Sequence, residues 1–167
     1  MILSPAMLIV FGVIIAPLIS TFIYSLKNME LISPHKGEFV WFANYAEILG
    51  SPEFWDSLWR TVYFTFVSLT LETMLGLLVA LLLNSGFKGE GFVRAIIILP
   101  WAVPTIVSGA MWKWIYDPQY GILNAILTGL GLIPAYRSWL GTPLSAMNMI
   151  IIADVWKMTP LAVIFFL

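Results

Sequence analysis

The stretch that decides the fold is Arg94-Ala-Ile-Ile-Ile-Leu-Pro-Trp-Ala-Val-Pro-Thr-Ile-Val-Ser-Gly-Ala-Met-Trp-Lys-Trp-Ile-Tyr-Asp117. Its eighteen residues from Ala95 to Trp112 carry no charge. As a helix they would rise about 27 Å, close to the hydrocarbon thickness of a bilayer. A cation at one end and an aromatic, charged cluster at the other are typical anchors of a spanning helix. We therefore predict a transmembrane span over residues 95–115.

Two prolines, Pro100 and Pro104, interrupt this apolar run. Each removes a backbone N–H donor and disturbs the helix, which would be costly in a soluble core. In a membrane, such breaks are tolerated where neighbouring helices or a wet cavity satisfy the freed carbonyls. The break next to Trp101 is therefore a candidate wall of a translocation path. An ordinary proline-kinked helix without substrate contact would show the same residues.

The composition indicates the class of protein. Of the 167 residues, 60% are hydrophobic and 10% are charged, whereas soluble domains carry about 25% charged residues. A soluble fold of this size has no means of burying so much apolar surface, so we predict an integral membrane protein. The net charge of −1 offers no basic surface for nucleic acid.

The sequence contains no motif typical of a metal site or of a P-loop nucleotide site. It holds no cysteine and one histidine, His35, so a metal site built on several such ligands is not expected. A phosphate-binding P-loop motif is also absent from it, so this chain is not expected to bind ATP in that way. We expect neither a metal nor a cofactor.

Three further apolar segments, residues 1–26, 61–84 and 144–167, are predicted to cross the membrane. With residues 95–115 they make an all-α integral membrane protein of four transmembrane helices, one partial domain over residues 1–167. Glu72 lies in the middle of a span, where a carboxylate costs about 2.5–3.5 kcal/mol on insertion scales. It should face protein or water, either lining a polar path or packing as a hydrogen-bonded group.

Short helices are predicted in the two long loops. Ser51-Pro52-Glu53 is typical of a helix start, with an N-cap serine, a proline in the first turn and an acid near the positive end of the dipole. We interpret the following residues, up to Arg60, as a short interfacial helix before the chain turns inward. Residues 122–130 are apolar but too short to span, which fits a re-entrant or interfacial helix.

The charge distribution predicts the orientation. Loop 85–94 has the densest Lys and Arg content, which places it in the cytoplasm and places loops 27–60 and 116–143 outside. All six tyrosines and six of the eight tryptophans fall at or near the outward loops, as interfacial aromatics should. Trp101 and Trp156 instead lie within spans, beside helix breakers, and indicate a role other than anchoring.

The last span contains two opposite charges. The segment Asp154-Val-Trp-Lys-Met-Thr-Pro160 is expected to interrupt it. Asp154 and Lys157 are three residues apart and can share one helical face. They either pair with each other or contribute to a polar path.

Four segments, in this order and spacing, resemble the carbohydrate permeases of bacterial ABC importers: Leu99-Pro-Trp-Ala-Val-Pro104, Trp112-Lys-Trp-Ile-Tyr116, Tyr120-Gly-Ile-Leu-Asn124 and Asp154-Val-Trp-Lys-Met-Thr-Pro160. The pattern is that of the maltose/trehalose type, in the binding-protein-dependent inner-membrane family. Asn44-Tyr45, Leu71-Glu72 and the turn with Asn84, Phe87 and Gly91 fit it as well. The resemblance implies a six-helix permease fold of which this sequence is the N-terminal part. A cytoplasmic coupling loop with an E-A-A-x-x-x-G motif and two more spans would follow.

The resemblance also implies a non-enzymatic, multi-pass subunit of the bacterial cytoplasmic membrane. Its partners would be a second permease subunit, ATP-binding subunits that hydrolyse ATP, and an extracytoplasmic sugar-binding protein. A di- or oligosaccharide would be the substrate, and the bilayer the surroundings. Transport would proceed by alternating access around a mid-membrane site.

For the site, the resemblance implies that Trp101 and the segment around Trp156 contact sugar. An aromatic face stacks on the C–H face of a sugar ring, and Asp154 would accept hydrogen bonds from sugar hydroxyls. Inter-helix packing of the tryptophans, and pairing of Asp154 with Lys157, are the alternatives.

Two other groups, Glu72 and Lys157, are candidates for a polar lining. The sequence departs from the maltose pattern at Met158, which replaces a glycine, and at Leu161, which replaces an aromatic residue. These differences weaken an assignment to maltose itself.

Two other functions are left open by the sequence. An ion- or proton-coupled secondary transporter would use Glu72, Asp154 and Lys157 as a coupling relay. A membrane subunit with a purely scaffolding role would need none of these contacts.

Overall fold

The computed structural model describes residues 7, 9–29 and 37–167. The chain forms two compact units, residues 1–59 and 60–167. In chain order the elements are a π-helical segment (Val10–Ile15), α1 (Ala16–Ser25), β1 (Lys27–Asn28), β2 (Glu38–Phe39), α2 (Ala43–Gly50), α3 (Pro52–Leu83), α4 (Glu90–Ala102), α5 (Thr105–Ile115), α6 (Ile122–Gly129) and α7 (Pro143–Phe166). The start of the predicted span 1–26, and His35 in the first long loop, lie outside the described residues.

In the first unit, an apolar helix leads into a small hairpin. The π-helical segment and α1 together form the apolar helix Val10–Ser25. Strands β1 and β2 pair antiparallel with Lys27 opposite Phe39, and the Lys27 ammonium lies 4.7 Å from the centre of the Phe39 ring. The Asn44 amide donates to the carbonyls of Ser25 and Lys27, which holds the start of α2 against the hairpin.

Helix α3 begins where the sequence predicts. Its N-cap is Ser51, whose Oγ accepts a hydrogen bond from the Phe54 N–H at 3.1 Å. The helix then continues for 32 residues to Leu83. The prediction of a separate short interfacial helix ending near Arg60 is therefore wrong. The physical reason is that no glycine or proline between Glu53 and Gly76 ends the helix.

Two described helices, α3 and α7, are long and apolar enough to cross a membrane. Helices α4 and α5, with 13 and 11 residues, are each too short to cross a membrane and are long enough only together. The chain bends by 93° at the break between them, from Ala102 to Thr105. The break predicted beside Trp101 is thus present, and it separates two helices. Val10–Ser25 is a shorter apolar helix. The described part of the chain contains two candidate spans, or three if the bent pair is one span.

Helix α7 runs without a break from Pro143 to Phe166 and passes through Pro160. The predicted interruption over residues 154–160 is therefore wrong. A proline inside a helix removes one backbone hydrogen bond, and the packing of a buried residue such as Pro160 compensates for that loss. At the other end, Thr142 Oγ1 caps the helix by accepting from the Ser145 N–H at 3.4 Å.

Helices α3 and α7 pack in parallel. Near their C-terminal ends, three side chains are buried together: Ala80, Leu83 and Val163. In the same region Gly76 lies against α7, so that an added Cβ would stand 2.6 Å from the Ala162 Cβ. Towards their N-terminal ends, the Tyr63 hydroxyl donates to Asn148 Oδ1 at 2.8 Å. Helix α4 packs along α7, and its Val93 and Ile97 lie against this buried cluster.

Candidate functional site

A cavity of about 260 Å³, which we call the slot, opens between α5 and α7. From the α5 side it is lined by Thr105, Ser108, Gly109, Trp112, Lys113 and Tyr116. From the α7 side it is lined by Ile150, Ala153, Asp154 and Lys157, and Leu140 closes its rim. The spacing within both sets is that of one helical face. The slot is therefore the gap between two facing helix surfaces.

Two contacts, one just before α5 and one in its last turn, hold this helix against α7. The Lys157 ammonium donates to the Val103 carbonyl at 2.5 Å. The rings of Trp112 and Trp156 meet edge to face, with centroids 5.6 Å apart and planes at 76°, a geometry that aromatic pairs favour. Trp112 thus lines the slot, and Trp156 packs against the Trp112 ring without lining the slot itself.

A third contact fixes the end of α5. The Tyr116 hydroxyl donates to the Met149 carbonyl at 3.0 Å. Tyr116 is buried, and this burial raises its pKa to about 12. The hydroxyl is therefore a neutral donor across the physiological range. Val103, just before α5, contacts Lys157, whereas Tyr116, just after α5, contacts Met149. The two helices therefore run antiparallel along the slot.

The break before α5 explains why Lys157 finds a carbonyl. Val103 has an extended backbone (φ −69°, ψ 128°), as residues before proline prefer. Pro104 is the N-cap of α5, and its own carbonyl already accepts the Ser108 N–H at 3.0 Å. The Val103 carbonyl therefore lies outside α5, and Lys157 is its partner among the described residues.

The carboxylates are placed differently from each other. Asp154 is half-buried and lines the slot. Among the described residues it forms no ion pair with Lys157, whose ammonium donates to the Val103 carbonyl. Glu72 is half-buried on α3, outside the slot lining, yet close enough to Asp154 for the two charges to interact.

The structure separates the two tryptophans singled out by the sequence. Trp156 touches the slot through Trp112. Trp101 lies on α4, two residues before Val103, is 46% exposed and is not part of the slot lining. Thus the structure brings Asp154 and Lys157 into one cavity, places Trp156 behind its wall, and leaves Trp101 and Glu72 outside it.

Sequence analysis named Asn124 only as the end of the segment Tyr120–Asn124 and gave it no role, but in the structure it organises the segment between α5 and α7. Its fully buried amide donates to the carbonyls of Asp117 and Arg137 and accepts from the Arg137 N–H and the Trp139 indole N–H, at 2.8–3.3 Å. Trp139 is buried directly before Leu140 at the rim of the slot. A lone amide within the apolar run 122–130 was the signal that could have found it.

The turn between α5 and α6 is equally constrained. The Tyr120 and Gln119 N–H groups donate to Asp117 Oδ1 and hold the pKa of that carboxyl below its usual value. At Gly121, an added Cβ would collide with the carbonyls of Asp117 and Ile115. Only glycine fits there, which explains the Tyr120-Gly121 sequence at the base of α6.

Comparison with known proteins agrees on one group of relatives, although no protein-family model matches the chain. The trehalose/maltose transport system permease protein MalF of Thermococcus litoralis is 49% identical over 156 residues, which cover 93% of this chain and 52% of that protein. The inner membrane ABC transporter permease protein YcjO of Escherichia coli is 32% identical over 170 residues, covering 100% of this chain and 57% of the relative.

The fold also has counterparts among solved structures. A bacterial alginate ABC transporter, solved in complex with an alginate pentasaccharide-bound periplasmic protein, matches 93% of this chain and 55% of the aligned chain. The TM-score is 0.69 at 21% identity, which is evidence for the fold alone. The chain spans about half the length of the curated relatives it matches. Over nearly its whole length, the chain is similar to permease proteins of ABC transporters.

Proposed function

We propose that this chain is about half of the transmembrane permease subunit of an ABC importer, one that moves a di- or oligosaccharide across the cytoplasmic membrane. The subunit itself is not an enzyme. ATP hydrolysis belongs to separate ATP-binding subunits, and a second permease subunit and an extracytoplasmic sugar-binding protein complete the assembly. The 49% identity to a trehalose/maltose permease supports the substrate class.

The observation that carries the proposal is the slot. It combines an indole wall, three hydroxyl side chains, one carboxylate and two ammonium groups between antiparallel helices. Sugars need this mixture, since their ring faces are apolar and their edges are hydroxyls. The volume of about 260 Å³ lies just below the range of about 300–1,000 Å³ usual for small-molecule sites. In the proposed importer the slot takes part of the sugar, and other parts of the assembly take the rest.

We assign the sugar contacts as follows. Asp154 accepts hydrogen bonds from sugar hydroxyls, because it lines the slot and has no ion-pair partner among the described residues. Trp156 supports the aromatic wall through Trp112. Trp101 stands on the far side of the break, so its contact with sugar requires a different angle at Val103–Pro104. Glu72, which lies outside the slot lining, adds a second carboxyl group near Asp154.

The proposed arrangement in the membrane has four crossings. Helices α3 and α7 supply two, the bent pair α4–α5 supplies one, and Val10–Ser25 is part of the first. Loop 85–94 lies on the cytoplasmic side because its Lys and Arg content is the densest. The slot then lies towards the outer half of the bilayer, next to the loop that holds Asn124, where a binding protein releases sugar.

The test is transport by the complete subunit with its partners in proteoliposomes. Uptake of labelled maltose or trehalose should require both ATP and the binding protein. A proton gradient without ATP should produce no uptake. Gradient-driven uptake without ATP would instead identify a secondary transporter and overturn the proposal.

A further inference from the structure

The contact between Lys157 and Val103 joins two parts of the molecule with different roles. Lys157 lines the slot, and Val103 is the residue at which α4 ends and the chain turns by 93° into α5. The ammonium donates to the Val103 carbonyl at 2.5 Å. One side chain therefore touches both the candidate binding cavity and the bend.

The bend depends on that carbonyl having a partner. Pro104 has no N–H and cannot continue the backbone hydrogen bonds of α4. The extended Val103 backbone leaves its carbonyl outside both helices. In a membrane-embedded segment, a carbonyl without a partner is strongly unfavourable. The Lys157 ammonium satisfies it with a charge-assisted hydrogen bond, which is stronger than a neutral one.

The same ammonium keeps donors for a second ligand. A lysine ammonium has three N–H bonds, and the structure uses one of them, on Val103. Sugar hydroxyls that accept hydrogen bonds from the other two N–H groups would draw on an ammonium that already binds the Val103 carbonyl at the break between α4 and α5. This differs from Lys113, which lines the same slot but makes no hydrogen bond to the break.

We propose that Lys157 is a positioning residue that holds the bend between α4 and α5 and transmits occupancy of the slot to it. This inference rests on the proposed function as a sugar importer, and it adds the element that senses the sugar. When sugar draws the ammonium into the slot, the Val103 carbonyl loses its partner and the angle changes. The bend is thus part of the binding site.

The angle is measurable with two spin labels in the complete subunit within its transporter. Phe92 on α4 and Trp114 on α5 are 73% and 79% exposed and lie outside the slot lining. The chain has no cysteine of its own, so Phe92→Cys and Trp114→Cys provide the labelling sites once cysteines elsewhere in the subunit are replaced by serine. At a rise of about 1.5 Å per residue, a 93° bend puts these positions about 23 Å apart, against about 33 Å in a straight helix.

The decisive comparison is between Lys157→Met, Lys157→Arg and Lys113→Met. Lys157→Met removes the donor and keeps the length, so the sugar-free distance should broaden and lengthen by about 5 Å or more. Lys157→Arg keeps a donor and should retain the short distance. Lys113→Met removes a cation from the same slot and should also retain it. If Lys157→Met and the unmodified protein give the same distribution of spin-label distances, the proposal is overturned.

Coupling to the slot is tested by adding saturating maltose or trehalose. The sugar should change the distance in the unmodified protein and leave it unchanged in Lys157→Met. A sugar-dependent change that persists in Lys157→Met would exclude Lys157 as the link. If the unmodified transporter shows no ATP-driven uptake while Lys157→Met still lengthens the distance, the proposed function fails and the positioning role stands.

A variant that fails to assemble is also informative. Pro104→Ala restores an N–H and allows a continuous helix, in which the Val103 carbonyl accepts from the N–H of residue 107. If Lys157→Met alone prevents assembly, the double variant Pro104→Ala/Lys157→Met should restore it. Failure of this rescue would show that Lys157 acts elsewhere and would overturn the proposal.

Discussion

Gly76 and Ala162 bring the backbones of α3 and α7 into direct contact, since a Cβ on Gly76 would stand 2.6 Å from the Ala162 Cβ. Real side chains do not pack that closely. The two helices must therefore separate to accept any larger residue at position 76. Small residues at such a crossing are typical of helices that pack within membranes.

We expect Gly76→Ala to lower the thermal unfolding midpoint of the complete subunit in detergent. Overpacking of this kind costs about 1–3 kcal/mol. Gly91→Ala is the matched control, because Gly91 lies in α4 with nothing within 4 Å of an added Cβ, and alanine favours helix. Equal midpoints for the two variants would contradict the close approach.

Trp156→Ala should slow sugar uptake by the assembled transporter about fivefold to tenfold. The variant removes the edge-to-face partner of Trp112, and such pairs contribute about 0.5–1.5 kcal/mol beyond their buried area. Initial rates of ATP-driven maltose and trehalose uptake measure the effect. Trp114→Ala, which changes a 79% exposed indole outside the slot lining, should retain the unmodified rate.

Trp101→Ala should also impair uptake without loss of assembly. This prediction follows from the proposed contact with sugar on the far side of the break. The same uptake measurement checks it, with recovery of the purified complex as the control for assembly. Unmodified rates for both Trp101→Ala and Trp156→Ala would remove the tryptophans from the proposed site.

Asn124→Ala should open the segment between α5 and α7. The substitution leaves the Trp139 indole N–H and the Arg137 N–H without the Asn124 acceptor, and a buried unsatisfied group such as this indole N–H costs about 1–3 kcal/mol. Limited proteolysis should cut within residues 117–139 much faster than in the unmodified protein. Gln119→Ala removes an exposed amide next to the same turn and should leave the cleavage rate unchanged.

Tyr116 should contribute to the pH dependence of stability in the alkaline range. Its folded pKa is raised to about 12, from an ordinary value of 10.0. Between these pH values the folded state keeps the proton that the unfolded state loses, so stability falls as pH rises through this window. The tyrosinate absorbance of the unmodified protein minus that of Tyr116→Phe should titrate near pH 12. In denaturant the same difference should titrate near pH 10, and a folded midpoint near 10 would contradict the burial.

Several elements could be predicted from the sequence because the residues that start or break them lie within one helical turn of each other. Ser51 and Pro52 start α3 as expected, and residues 122–130 contain a short helix. The pair of prolines predicted a break beside Trp101, and one occurs. The predicted resemblance to sugar ABC permeases is confirmed by the similar proteins, and two described helices are long and apolar enough to cross a membrane.

The rest depends on contacts between distant residues, which a single sequence does not specify. Nothing near Pro160 says that α7 continues through it, and nothing near Pro104 fixes an angle of 93°. The bond from Lys157 to Val103 joins residues 54 apart. The neighbour at i−3, Asp154, was the partner that local spacing suggested. Asn124 was missed for the same reason, since its partners lie on both sides of a loop.

The Asn124 amide uses its whole hydrogen-bonding capacity, with both N–H bonds donated and two bonds accepted by its oxygen. An aspartate at position 124 would lack the two N–H donors, and a leucine there would lack every polar atom. A deletion that removes α6 would therefore strip the Trp139 indole of its acceptor as well. During evolution the segment from Asp117 to Trp139 should be gained or lost as a whole, and length changes should accumulate on either side of it.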